Sequence, residues 1–153
     1  MKKILVSISL AACGLLGQPV LAQSPMPITS TSTSGDTLYK KLGEKPGLVR
    51  LMDDFMVRLL ADTRTGPHFK PTNQQNIKTQ LVEQFCVVAG GPCVYKGADM
   101  KSAHSSLDIS KSDFNALVEV LQLSMDAQSI PFGTQNQLLA RLAPMSRDVI
   151  TVD

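Results

Sequence analysis

The chemistry this chain can do centres on one imidazole. His104 closes the run Met100-Lys101-Ser102-Ala103-His104, and the only other histidine in the 153 residues is His68. Just upstream, Phe85-Cys86-Val87-Val88-Ala89-Gly90-Gly91-Pro92-Cys93-Val94-Tyr95-Lys96-Gly97 stops an apolar helix at a double glycine and a proline. A short second helix then presents His104. One imidazole is too little for a bare zinc ion, because no second Cys or His pair completes four ligands. It does suit a flat cofactor whose metal already has most of its ligands. Cys86 and Cys93 flank the turn. In an oxidising compartment they could close a small loop worth roughly 2–3 kcal/mol. The alternative is a buried thiol at 86 and an exposed one at 93.

The elements that must position this imidazole are all helical. Leu48, Leu51, Met52, Phe55, Met56, Leu59 and Leu60 keep the three-four spacing of one apolar face, and Pro46 suits the first turn. Asn73 can cap a second helix whose Ile77, Leu81, Phe85 and Val88 share a stripe. A third, short helix runs from about Asp99 to Ser106. Ser110 and Asp113 form a capping box for a fourth, with Phe114, Leu117, Leu121 and Met125 inward. Pro131 opens the last, carrying Leu138, Leu139, Leu142, Met145 and Val149, with a kink at Pro144. Nothing alternates as a half-buried strand does. The expected class is all-α.

Length allows one domain with a self-standing core. The formal net charge of +2 owes part of its sign to Lys2 and Lys3, and no basic stripe carries interleaved aromatics. That argues against nucleic acid as a partner. Residues 1–22 read as a secretory signal: Lys2-Lys3, an apolar run from Ile4 to Leu16, and Val20-Leu21-Ala22 before the cleavage point. The run is shorter than the roughly 20 residues a spanning helix needs. Leu10-Ala11-Ala12-Cys13 offers the rival of a lipid anchor at Cys13. Residues 23–36, rich in Ser, Thr and Pro, read as a flexible tether. An exported, periplasmic protein is the expectation.

Taken together, several runs resemble the truncated haemoglobins, specifically their first group. Leu38-Tyr39-Lys40-Lys41-Leu42-Gly43 is similar to that family's opening helix, and Asp53-Asp54-Phe55 with Leu60-Ala61-Asp62 to its second. Phe69 stands where the family stacks a phenylalanine on its cofactor. Gly90-Gly91-Pro92, Tyr95, Gly97, Met100-Lys101 and Ala103-His104 follow in order and spacing, and Ala143-Pro144-Met145 to Ile150 resembles the final helix. The resemblance covers residues 37–151. It implies a shortened globin, a two-over-two helical sandwich, holding haem b.

On that resemblance His104 is the proximal iron ligand. Phe55, Phe69, Phe85, Tyr95 and Met100 line the cofactor, and Lys101 pairs with a propionate. The opposite side departs from the family pattern. Met56 stands where many relatives carry a tyrosine, and Ile77 and Leu81 where many carry glutamine. Gln80 and Met56 are candidates for a sixth ligand, and His68 belongs at the cofactor edge or in solvent. The implied function is reversible binding of O2, NO or CO against an apolar distal side. Nitric-oxide dioxygenation, which would need a reductase as electron donor, or peroxidase-like turnover, is the alternative. A helical binding module without haem is the third reading.

Overall fold

The structure is a computed structural model that describes residues 37–152. The expected export signal at 1–22, Cys13 and the 23–36 tether lie outside those residues. The described chain is helical, with no strand among its residues. In order come α1 (Leu38–Lys41), α2 (Glu44–Ala61), α3 (Gly66–Phe69), α4 (Gln74–Val88), α5 (Met100–His104), α6 (Lys111–Ala127), α7 (Phe132–Leu142) and α8 (Ser146–Val149). Among the described residues no helix is long and apolar enough to cross a membrane.

The four long helices form the body. α2 packs against both α4 and α6, and α4 also meets α7. Leu48, Leu51, Met52, Phe55 and Leu59 of α2 meet Val82, Phe85 and Cys86 of α4, Val120, Leu121 and Met125 of α6, and Leu138 of α7. Burying each such side chain contributes about 1.5–3 kcal/mol. The core therefore holds α2 and α4 in fixed register.

Local chemistry sets where the helices begin and end. Asn73 caps α4 by accepting from the Asn76 backbone N–H, and Ser110 and Asp113 make the reciprocal capping box of α6. At the other end of α4, Gly91 N–H donates to the Cys86 carbonyl and Gly90 N–H to that of Val87. That is the Schellman arrangement. It requires Gly90 at φ +81°, a left-handed conformation that side chains disfavour. The last carbonyls are then used by Tyr39 N–H on Ala89 and by the Arg141 guanidinium on Val88.

Three details differ from the sequence reading. Gly66-Pro67, a dipeptide that ordinarily marks a turn, starts the short α3, because proline suits the first helical turn. The short third helix runs only from Met100 to His104, with Asp99 as its cap. Pro144 does more than kink the last helix: residues Ala143–Met145 form a 3₁₀ turn that separates α7 from α8. The separated α8 packs on α5. The tail beyond it is tied to the α5–α6 link, since Thr151 N–H donates to the Ile109 carbonyl and Ile109 N–H to the Thr151 hydroxyl.

Candidate functional site

The packing leaves a cleft of about 760 Å³ between α4 on one side and α5 with α8 on the other. α4 contributes Ile77, Gln80, Leu81, Gln84 and Phe85, and α5 contributes Met100, Ala103 and His104. Phe55, Phe69, Phe114, Leu117, Leu139 and Leu142 close the interior. The wall is overwhelmingly apolar.

His104 is held by its own helix. Its Nδ1 lies 2.7 Å from the backbone carbonyl oxygen of Met100, one turn earlier. A carbonyl only accepts, so Nδ1 carries the proton and Nε2 keeps a free lone pair. That is the tautomer and orientation a metal-binding imidazole needs. The helix carrying it is fixed at its start by Asp99, whose carboxylate accepts from the Ser102 N–H and from the Ser102 hydroxyl. Those two bonds hold the Asp99 carboxyl below its ordinary range.

The segment leading into α5 is pinned to α4. Cys86, fully buried in the last turn of α4, is joined to Cys93 by a disulfide, with Cα atoms 5.8 Å apart. Of the two readings left open by the sequence, the bridge is the one observed. Tyr95 follows two residues later. Its hydroxyl donates to the Ala98 carbonyl at 2.9 Å, and burial, with the Asp99 charge second, raises its pKa. Gly97 lies directly beneath: a Cβ there would stand 2.3 Å from the Tyr95 hydroxyl and 2.6 Å from Gln80 Oε1.

Most sequence-derived candidates meet on this cleft. His104, Phe55, Phe69, Phe85, Tyr95, Met100, Ile77, Gln80 and Leu81 all line it. Two do not. Met56 is buried and absent from the cleft wall, because α2 turns Phe55 toward the opening and the next residue about 100° away. Lys101 is exposed and off the wall, since Met100 and His104, four residues apart, take the inward face of a five-residue helix.

Several polar lining residues are not among the site candidates read from the sequence. Gln84 is buried on α4 and donates only to the thioethers of Met100 and Met145. Its spacing from Ile77 and Leu81, seven and three residues, was the available signal. Asp113 and Asn115 also reach the wall. His68 Nε2 lies 3.9 Å from Asp113 Oδ1, with both side chains 27% exposed. The Asp113 carboxyl sits below its ordinary range, chiefly through the Ser110 hydroxyl and N–H, with the His68 charge adding.

Comparison with known proteins bears directly on this geometry. The family described as "Bacterial-like globin" matches residues 37–151. A group 1 truncated haemoglobin, GlbN, of Mycolicibacterium paratuberculosis is 30% identical over 115 residues, 75% of this chain and 85% of that one. This chain belongs to the truncated haemoglobins. A group 1 truncated haemoglobin of Tetrahymena thermophila is 29% identical over 70% of this chain and 85% of its own. The crystal structure of the Fe(III) truncated haemoglobin of Tetrahymena pyriformis superposes with a TM-score of 0.73 at 25% identity, covering 75% of this chain and 98% of that one. α2, α4, α6 and α7 are thus the four helices of the two-over-two globin sandwich.

A truncated haemoglobin is a haem-binding globin, and the residues present fit haem. Among the described residues no group of three or more His, Cys, Asp or Glu side chains is placed to hold a bare metal ion. A single imidazole with a free Nε2 instead matches a metal already held by a porphyrin. The apolar slot suits the porphyrin faces. No Lys or Arg lines the cleft, so haem carboxylates would need cationic partners outside the residues of its wall. Lys96 borders a second hollow together with Glu83, Val94 and Gln80, the last of which also lines the cleft.

Proposed function

We propose that this globin holds haem b through His104 and binds O2, NO and CO reversibly, with few hydrogen-bond donors on the gas-binding side. The observation that carries this is the hydrogen bond from His104 Nδ1 to the Met100 carbonyl, which leaves Nε2 as the metal-binding atom of a ring on the cleft wall. Haem, when bound, would supply an iron able to take a diatomic gas.

The chain's own contribution is the character of the opposing wall. Ile77, Leu81 and Phe85 offer no donor, and of the amides on that helix Gln84 is turned to two thioethers, which leaves Asn76 and Gln80 as its remaining donors. The hydroxyls on the wall are already spent: Thr65 donates to the Leu59 carbonyl, Thr72 to that of Phe69 and Tyr95 to that of Ala98. A hydrogen bond to a polar gas is worth about 1–3 kcal/mol, or roughly five- to hundredfold in affinity. Its lack weakens O2 most and leaves NO and CO comparatively favoured.

The test is optical. The reduced, purified protein should give a Soret band that moves on adding CO, and stopped-flow mixing should show rapid O2 release. A colourless protein that takes up no haem would contradict the reading; slow O2 release would contradict the apolar wall.

A second reading, peroxidase-like turnover, has one observation in its favour. His68 and Asp113 stand side by side on the cleft wall, and a histidine–carboxylate pair is able to relay protons. Oxidation of a reducing dye by hydrogen peroxide that falls in His68→Leu would favour it. Nitric-oxide dioxygenation would further require a reductase as partner.

We also propose that the chain is exported. Lys2-Lys3, the apolar run after them and Val20-Leu21-Ala22 support this, as does a disulfide of the kind that persists in oxidising compartments. The mass of the mature protein from a periplasmic extract tests it. Cleavage after Ala22 is expected, and a full-length cytosolic chain would contradict it.

A further inference from the structure

Ile77, Leu81, Gln84 and Phe85 occupy one face of α4, so a carboxamide stands where the period calls for an apolar side chain. Gln84 is only 8% exposed. Burying an amide without good partners is costly, and thioethers are weak acceptors. A leucine would avoid that cost. What leucine lacks is direction: Gln84 Nε2 lies 3.2 Å from Met100 Sδ and 3.5 Å from Met145 Sδ. One amide thus reaches from α4 to the first residue of α5 and to the 3₁₀ turn before α8.

Met100 is also the residue whose carbonyl holds His104 Nδ1, at 2.7 Å. Its side chain is fixed by Gln84, and its backbone in turn fixes the imidazole. We propose that Gln84 is a positioning residue for His104, acting through Met100, so that the α4 wall sets the orientation of the imidazole on the opposite wall. This rests on the reading of His104 as the haem ligand.

The test uses the haem-loaded protein and the variants Gln84→Leu, Gln84→Met, Met100→Leu and Gln84→Leu/Met100→Leu. One readout is the iron–histidine stretching band in the resonance Raman spectrum of the reduced protein, which reports the ligand's orientation and Nδ1 hydrogen bond rather than fold stability. The other is the rate of haem transfer to excess apomyoglobin. Both Gln84 variants should displace the band and speed haem loss about 10- to 100-fold, as loss of an outer-shell partner does. Met100→Leu should do the same, and the double variant no more than either single one. A band at the wild-type position in both Gln84 variants overturns the proposal, as do single effects that simply add. A wild-type protein with no such band removes His104 as ligand, and the proposal falls with it.

Discussion

Cys86 and Cys93 are joined across the Gly-Gly-Pro turn, and the bridge ties the last turn of the cleft's α4 wall to the segment that carries Tyr95 into α5. Cys86 directly follows Phe85, and Cys93 precedes Tyr95 by two residues; both neighbours line the cleft. Cutting the bridge therefore frees two pieces of wall at once. The Cys86→Ser/Cys93→Ser variant should lose about 2–3 kcal/mol of stability, the loop-closure value for a ring this small. Urea unfolding of wild type with and without reductant checks it. Reduction should reproduce the variant's shift and leave the variant unmoved.

Gly97 is a contact that a side chain would spoil. A Cβ there would meet the Tyr95 hydroxyl and Gln80 Oε1 at 2.3 and 2.6 Å. Gly97→Ala must push both of them away, and overpacking of this kind costs about 1–3 kcal/mol. The Gln80 amide is the more mobile end. Gly97→Ala/Gln80→Ala relieves that contact and leaves the tighter one with Tyr95, so it should recover only part of the stability lost in Gly97→Ala, measured by thermal melting.

The apolar wall predicts its own reversal. Leu81→Gln adds a donor on the cleft face of α4. If that donor reaches the gas, O2 release should slow by roughly five- to hundredfold while CO release changes far less. Stopped-flow displacement of each gas measures this.

Acid should loosen the start of α5 through Asp99. Its carboxyl is held below the ordinary value of 3.8 by the Ser102 N–H and hydroxyl. A depressed pKa means the stabilisation is complete above that value and drains away as pH falls below it. Asp99→Asn should be less stable than wild type at neutral pH, and the gap should close as pH drops below about 4. Urea midpoints for both proteins across the acid range decide it; a gap that does not narrow would contradict the assignment.

What the sequence told and withheld follows from how local each signal is. The end of α4, the Asn73 cap and the Ser110–Asp113 box depend on neighbours a few residues apart, and all three stand as read. His104 stands out as a candidate in the sequence because only two imidazoles compete and its turn-then-helix setting is distinctive, and the fold puts it on the cleft wall. Met56 falls off the cleft wall because α2 is buried over a wide arc: its apolar positions serve both core and cleft, and periodicity does not separate the two. Gln84 was passed over because a glutamine reads as solvent-facing. Only the arrival of Met100 and Met145 from distant parts of the chain makes it interior. The His68–Asp113 approach is likewise tertiary, joining α3 to the first turn of α6.

The central claim is the bond between His104 and a haem iron. The direct measurement is the absorption spectrum of the reduced His104→Ala variant, with and without CO, beside wild type at equal haem. Wild type should hold haem and form a CO complex with a shifted Soret band. The variant should lose haem on gel filtration and regain a wild-type-like spectrum when imidazole is supplied. An alanine variant that keeps both its haem and an unaltered CO spectrum would contradict the account.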